Sequence, residues 1–205
     1  GIHYPGHTEY LGKKSNKKPL MIMLNKALKV ATLTTHIPIS QVPNKITKSN
    51  LEKTIMVYIK SLNRDFGLND PILVISALNP HNGEDGKIGN EEIKIIKPII
   101  NKLKKQGNNI YGPKSADTMF HKDALRNVDA NLCMFHDQAL IPVKSFDFYG
   151  SINYTAGLSF VRTSPDHGTA FDIAGENKAN SSSLINAINY VRMIYNQRLK
   201  YDKKL

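Results

Sequence analysis

The chain has 205 residues, 40% of them hydrophobic, and a formal net charge of +11; that is enough apolar material for one well-buried core and too much for a disordered chain. No apolar run approaches the ~18 residues of a membrane-spanning helix, and the opening Gly1-Ile2-His3-Tyr4-Pro5-Gly6 is turn-like, unlike the apolar stretch of a signal peptide, so no membrane partner is expected. The charge invites a nucleic-acid reading, but only five of the 28 basic residues are arginine, the lysines are scattered, tryptophan is absent and no aromatic residues interleave with the basic ones, so no nucleic-acid partner is expected either.

A solvated lysine-rich surface explains the charge, with a long-range pull on phosphorylated ligands as its by-product. The single Cys133 sits in an apolar segment. It can form no disulfide within the chain, and a reducing, cytoplasmic setting is expected.

In chain order, Tyr4-Pro5-Gly6 reads as a turn, with a helix starting near Thr8. The run from Lys13 to Lys18 reads as an exposed loop. Residues 27–35 alternate enough for a strand that ends at His36, where Ile37-Pro38 blocks continuation. Residues 49–62 place Leu51, Ile55, Val57 or Tyr58, and Leu62 at helical spacing behind a Ser49/Asn50 cap. Residues 71–78 are a continuous apolar run, as a strand covered on both faces should be, and give way to Asn79-Pro80-His81-Asn82-Gly83-Glu84.

A helix is expected over 90–105, kinked or split at Pro98 and stopped by Gly107. Residues 130–135 read as a buried strand that delivers His136, Asp137 and Gln138 into a loop, and 158–161 as a second apolar strand leading to Arg162. Residues 183–199 read as a helix whose apolar face is Leu184, Ile185, Ile188, Val191 and Ile194. There is no repeat and no linker. Alternating strands and helices predict one α/β unit spanning residues 1–205.

Three predicted strands end in histidine, at His36, His81 and His136. In a mostly parallel sheet such ends share one edge, where ligand sites form. Three imidazoles suffice for a catalytic divalent metal with an open position. The separations match no short zinc pattern, and each histidine taken singly reads equally as a hydrogen-bonded loop residue. Lys144 and Arg162 are basic candidates for a phosphate or carboxylate, or simply surface charges. The turn at Gly168-Thr169 could cradle a phosphate or ribose before a short helix at 170–174. Asp166, Asp172 and Glu176 suit either acid–base work or helix capping. No GxGxxG or Walker loop occurs, and neither Ser164 nor Cys133 has the neighbours of an activated nucleophile.

The segments Gly6-His7-Thr8-Glu9, Thr34-Thr35-His36-Ile37-Pro38, Leu78-Asn79-Pro80-His81-Asn82-Gly83-Glu84, Phe135-His136-Asp137-Gln138 and Arg162-Thr163-Ser164-Pro165-Asp166-His167-Gly168-Thr169-Ala170 follow one another across nearly the whole chain. Together they resemble the 4-hydroxythreonine-4-phosphate dehydrogenase family. The stretch from His167 to Asn180 also resembles the cofactor loop of isocitrate and isopropylmalate dehydrogenases, which bind the nicotinamide dinucleotide without GxGxxG.

The resemblance implies a three-layer α/β/α fold of that type. It implies NAD or NADP as cofactor and a divalent metal, zinc, magnesium or cobalt. The implied reaction is oxidation and decarboxylation of 4-phosphooxy-L-threonine in pyridoxal phosphate biosynthesis. It assigns His36, His81 and His136 to the metal, and His7, Thr8, Lys144, Asn153 and Arg162 to the substrate. Lys144 and Asp137 become the catalytic candidates, and His167, Gly168, Thr169 and Asn180 the cofactor contacts. A homodimer with the metal site at its interface is implied as well.

Two departures stand out. Family members carry a first-domain segment before Gly6-His7, so the chain is expected to be a truncated two-domain dehydrogenase, its second domain plus the C-terminal return helix. Ala139 also stands where a glycine is expected. A dehydrogenase for phosphothreonate or phosphoerythronate, or a catalytically silent metal- and phosphate-binding dimer, would fit the same residues.

Overall fold

The computed structural model describes residue 4 and residues 6–203. Seven strands form one mixed sheet: β1 (Leu20–Leu24), β2 (Lys29–Thr32), β3 (Leu73–Ser76), β4 (Ile110–Lys114), β5 (Ala130–Cys133), β6 (Ile152–Ala156) and β7 (Thr163–Pro165). Their spatial order is β4-β3-β5-β2-β1-β6-β7. β4, β3, β5 and β2 pair in parallel, while β1 and β7 run against their neighbours. Among the described residues six α-helices join the sheet: α1 (His7–Lys14), α2 (Val42–Lys45), α3 (Lys48–Phe66), α4 (Lys97–Lys105), α5 (His136–Phe146) and α6 (Ser182–Asp202).

Strand pairing puts alternate residues on opposite faces, and the two faces are unequal. Leu20, Ile22 and Leu24 of β1 join the larger core with Leu51, Ile55, Tyr58 and Leu62 of α3 and with Ile99, Ile100 and Leu103 of α4. Met21 and Met23 face the other way, into a smaller core with Val30, Cys133 and the α5 residues Ala139 and Val143. Ala139, the residue that departs from the family pattern, is completely buried there, so its methyl group fills space in the thin α5 layer.

Several expected elements change shape. The strands predicted over 27–35, 71–78 and 130–135 shorten to β2, β3 and β5. The α3 cap is Thr47, whose side chain accepts from Asn50 N. The helix expected over 90–105 is a π-helical turn, Glu92–Ile96, that runs directly into α4; Pro98, which lacks an N–H for the preceding turn, sits just after this wider turn. Residues 158–160 form bends and residue 161 is irregular, so no strand forms there, and the turn expected to be helical at 170–174 reduces to a 3₁₀ turn at Phe171–Ile173. His136, Asp137 and Gln138 lie on a helix, not in a loop, because α5 starts at His136 and runs through Pro142.

The largest reversal concerns α6. Its span is as expected, but Leu184, Ile185, Ile188 and Val191 of the predicted apolar face are exposed, and only Ile194 of that set is buried. The buried side holds Ser183, Ala187, Ile194 and Arg198. Small residues let the helix sit close, and Arg198 locks it. The Arg198 guanidinium Nε donates to Asp65 Oδ1 at 2.8 Å, and Nη2 donates to Tyr154 Oη at 3.0 Å. Tyr154 Oη in turn donates to Asp65 Oδ2 at 2.5 Å, and Arg64 Nε donates to Oδ1 at 2.8 Å. Asp65 is fully buried, and this network joins α3, β6 and α6.

Candidate active site

Because β3, β5 and β2 are adjacent and parallel, the segments leaving their C-terminal ends emerge at one sheet edge. Those segments carry His81, His136 and His36. The rings of His36 and His136 lie 5.8 Å apart, centre to centre, and are tilted by 49°. Two imidazoles on one ion have ring centres roughly 4.5–5.5 Å apart, since the metal–nitrogen bond is about 2 Å. The pair stands a few tenths of an ångström wider than two ligands of one tetrahedral ion and so comes close to that spacing. Among the described residues no group of three His, Cys, Asp or Glu is arranged to hold an ion, so His81 does not complete the set within one chain.

His36 and His136 line a cavity of about 350 Å³ with Thr35, Pro38 and Asp137. His136 Nδ1 and Asp137 Oδ1 are 2.7 Å apart. A carboxylate on one ring nitrogen fixes the tautomer and leaves Nε2 to the cavity.

The neighbouring strand ends are tied together by Gln138. Its Oε1 accepts from Ser76 Oγ and from Met134 N, each at 2.8 Å, and its Nε2 donates to the Ala77 carbonyl at 2.9 Å. The segment beyond β3 is unusual. His81, Asn82, Gly83, Glu84 and Asp85 all have φ between 42° and 77°, a left-handed turn that disfavours each non-glycine residue by about 1–2 kcal/mol.

Along α5 the polar groups continue. Lys144 stands two helical turns beyond His136, roughly 12 Å away along the axis. Between them lies a second cavity, about 460 Å³, lined by His136, Asp137, Leu140, Lys144 and Phe148. Lys144 and Phe148 also line a third, about 830 Å³, with Asp166, His167, Gly168, Thr169 and Asn180. All four residues expected to contact a cofactor thus surround one cavity, although the turn beside them is too short to act as a helix terminus.

Lys144 Nζ lies 3.3 Å from Asp166 Oδ2 and donates to the Asp166 carbonyl at 3.3 Å. Burial raises the Asp166 carboxyl above its ordinary range, while Lys144 pulls it back. Asn153 pairs with Met23 across the sheet and so faces the α5 layer. Arg162 Nη1 reaches Asn153 Oδ1 at 3.4 Å and Thr155 Oγ1 at 3.0 Å. No strand precedes Arg162; Thr155, a residue the sequence did not single out, holds it in place.

Thr8 is buried and His7 exposed at the start of α1. Among the described residues no hydrogen bond joins either to Lys144, Asn153 or Arg162. The structure thus joins His36 to His136 and Asp137, Asn153 to Arg162, and Lys144 to the His167–Asn180 loop. Among the described residues no hydrogen bond joins His81, His7 or Thr8 to these groups.

Cys133 is fully buried, and burial pushes its thiol up to about 12, so it is no nucleophile. An aromatic disulfide reagent at mildly alkaline pH is expected to leave the native chain unlabelled and to titrate one thiol after denaturation. Rapid labelling of native protein would contradict this.

Residues 1–191 match the family of pyridoxal phosphate biosynthetic protein PdxA. The chain is 48% identical over 193 residues to 4-hydroxythreonine-4-phosphate dehydrogenase of Paracoccus denitrificans, covering 92% of this chain and 60% of that protein. It is 47% identical to the enzyme of the same name from a Ruegeria species, covering 92% and 58%. A crystal structure of 4-hydroxythreonine-4-phosphate dehydrogenase from Klebsiella pneumoniae superposes with a TM-score of 0.82 at 39% identity, over 95% of this chain and 59% of that one. The chain thus spans about 60% of the length of the relative from Paracoccus. With matching motifs along the sequence and the same arrangement in space, the chain belongs to the PdxA family.

Proposed function

We propose that this chain is the catalytic portion of an enzyme that uses NAD or NADP to oxidise 4-phosphooxy-L-threonine, in pyridoxal 5'-phosphate biosynthesis. The observation that carries this reading is the arrangement along α5: two imidazoles at its start, an ammonium two turns on, and the His167–Asn180 cavity beyond. A bound nicotinamide would supply the hydride acceptor for the hydroxyl-bearing carbon, and the hydroxyl proton would leave to a base. The resulting 3-oxo acid loses carbon dioxide, and protonation at carbon gives 3-amino-2-oxopropyl phosphate.

His36 and His136 would hold a divalent ion (zinc, magnesium or cobalt), with His81 of a second copy as the third ligand. That ion, when bound, polarises the reacting oxygen as a Lewis acid. Asp137 orients the His136 ring. Lys144 carries the proton, and its ion pair with Asp166 holds the ammonium in place. Arg162 and Asn153 meet the anionic ends of the substrate with His7 and Thr8. His167, Gly168, Thr169 and Asn180 take the dinucleotide.

The same reading makes the chain the second domain and return helix of a two-domain, isocitrate dehydrogenase-like protein, working as a cytoplasmic homodimer. The incomplete metal set of one chain and the exposed apolar stripe of α6 both support a partner surface. No helix among the described residues is long and apolar enough to cross a membrane.

The test is reduction of NAD or NADP by this chain with 4-phosphooxy-L-threonine and added divalent metal. Chelator-sensitive growth of nicotinamide absorbance is expected. No turnover with either cofactor and any of the three metals would count against the assignment to this chain.

A further inference from the structure

We propose that Glu92 is a positioning residue for His81, fixing the backbone that presents this imidazole to a metal ion; the proposal rests on the reading of His81 as a ligand. Nothing in the sequence marks Glu92 out, since a Glu91-Glu92 pair before an apolar segment looks like a solvated helix start. In the structure its side chain is buried at 1% exposure. A buried carboxylate is disfavoured unless its lone pairs are filled, and here two consecutive residues fill them.

Oε1 accepts from Leu78 N and Asn79 N, both at 2.8 Å, and Oε2 accepts from Asn79 Nδ2 at 3.0 Å. Asn79 Nδ2 also donates to Glu91 Oε2 at 2.8 Å. These residues stand two and three positions before His81. Past the histidine, the carboxylate meets the same segment again. A Cβ on Gly83 would lie 2.8 Å from Glu92 Oε2, so the left-handed turn wraps directly against it.

Charge-assisted bonds to backbone N–H groups are stronger and shorter than neutral ones, which suits a group that must hold an unfavourable backbone conformation. Glu92 also opens the π-helical turn. The wider turn is where this carboxylate points back at the strand end. Groups that orient a metal ligand typically change metal affinity 10–100-fold when removed.

A zinc titration of the full chain, read by competition with a chromophoric chelator, tests this alongside thermal melts. Glu92→Gln keeps the size but sets an amide donor against Asn79 Nδ2. Zinc affinity is expected to fall roughly tenfold or more, with the melting transition still above the titration temperature. Adding Glu92→Gln to His81→Ala should lower affinity no further than His81→Ala alone, because both act through one ligand. A carboxylate that merely supports the fold would shift the melt and leave zinc affinity unmoved.

Wild-type affinity in Glu92→Gln, with affinity lost in His81→Ala, overturns the positioning role and leaves the ligand reading standing. Wild-type affinity in His81→Ala removes the ligand role, and the proposal falls with it. Where Glu92→Gln does not fold, Glu92→Asp replaces it. That change keeps the charge but withdraws both oxygens from their donors, and unchanged affinity there is equally decisive.

Discussion

His136→Ala is expected to lower divalent-metal affinity by at least about a hundredfold, beyond the loss usual for an outer-sphere partner, and to abolish chelator-sensitive turnover while leaving the fold intact. The fold should survive because the imidazole fills no core. It sits at the first position of α5, about a third exposed, with its ring against His36 and Asp137. Surface substitutions of this kind usually move stability by no more than about 0.5 kcal/mol. Removing the ring also leaves Asp137 at a helix N-terminus, where its negative charge is favoured. Equilibrium dialysis with metal analysis, paired with a melt, separates the two effects. Full metal content in the folded variant would end the assignment of His136 as a ligand.

Asp65→Ala should have the largest effect on stability. It strands the buried Arg198 guanidinium, removes the acceptor of Tyr154 Oη and unpins α6 from α3. Breaking a buried ion pair by deleting one partner is destabilising by about 3–5 kcal/mol, a fall of roughly 10 °C in Tm for a chain of this size. Tyr154→Phe removes one hydroxyl and leaves the ion pair, so it should be milder, about 1–2 kcal/mol. Urea unfolding of both variants gives the comparison. Equal effects would show that the hydroxyl carries the network, and a loss under 1 kcal/mol for Asp65→Ala would show that α6 is held by packing alone.

What could be read from the sequence depended on whether a residue's role is local. Strand ends at His36, His81 and His136 were legible because apolar runs stop abruptly at polar, proline-marked segments. β1 was not, since Met21 and Met23 face one core while Leu20, Ile22 and Leu24 face the other, leaving no alternation to see. α5 was hidden by Pro142 and by the polar His136-Asp137-Gln138 start.

The α6 period was correct and its orientation reversed, because periodicity finds a stripe and cannot say which stripe meets the sheet. Ser183, Ala187 and Arg198 won through close approach and the Asp65 pair. The expected sites at Lys144 and Asn180 rest on motif. Thr155 beside Arg162, Asp166 beside Lys144, and Gln138 and Glu92 at the end of β3 act through contacts between distant segments, for which a single sequence carries no local signal.

Lys144 and Phe148 line two cavities at once. Any ligand that drew the ammonium away from Asp166 in one cavity would reshape the wall of the other, and by linkage that effect would be equal in both directions.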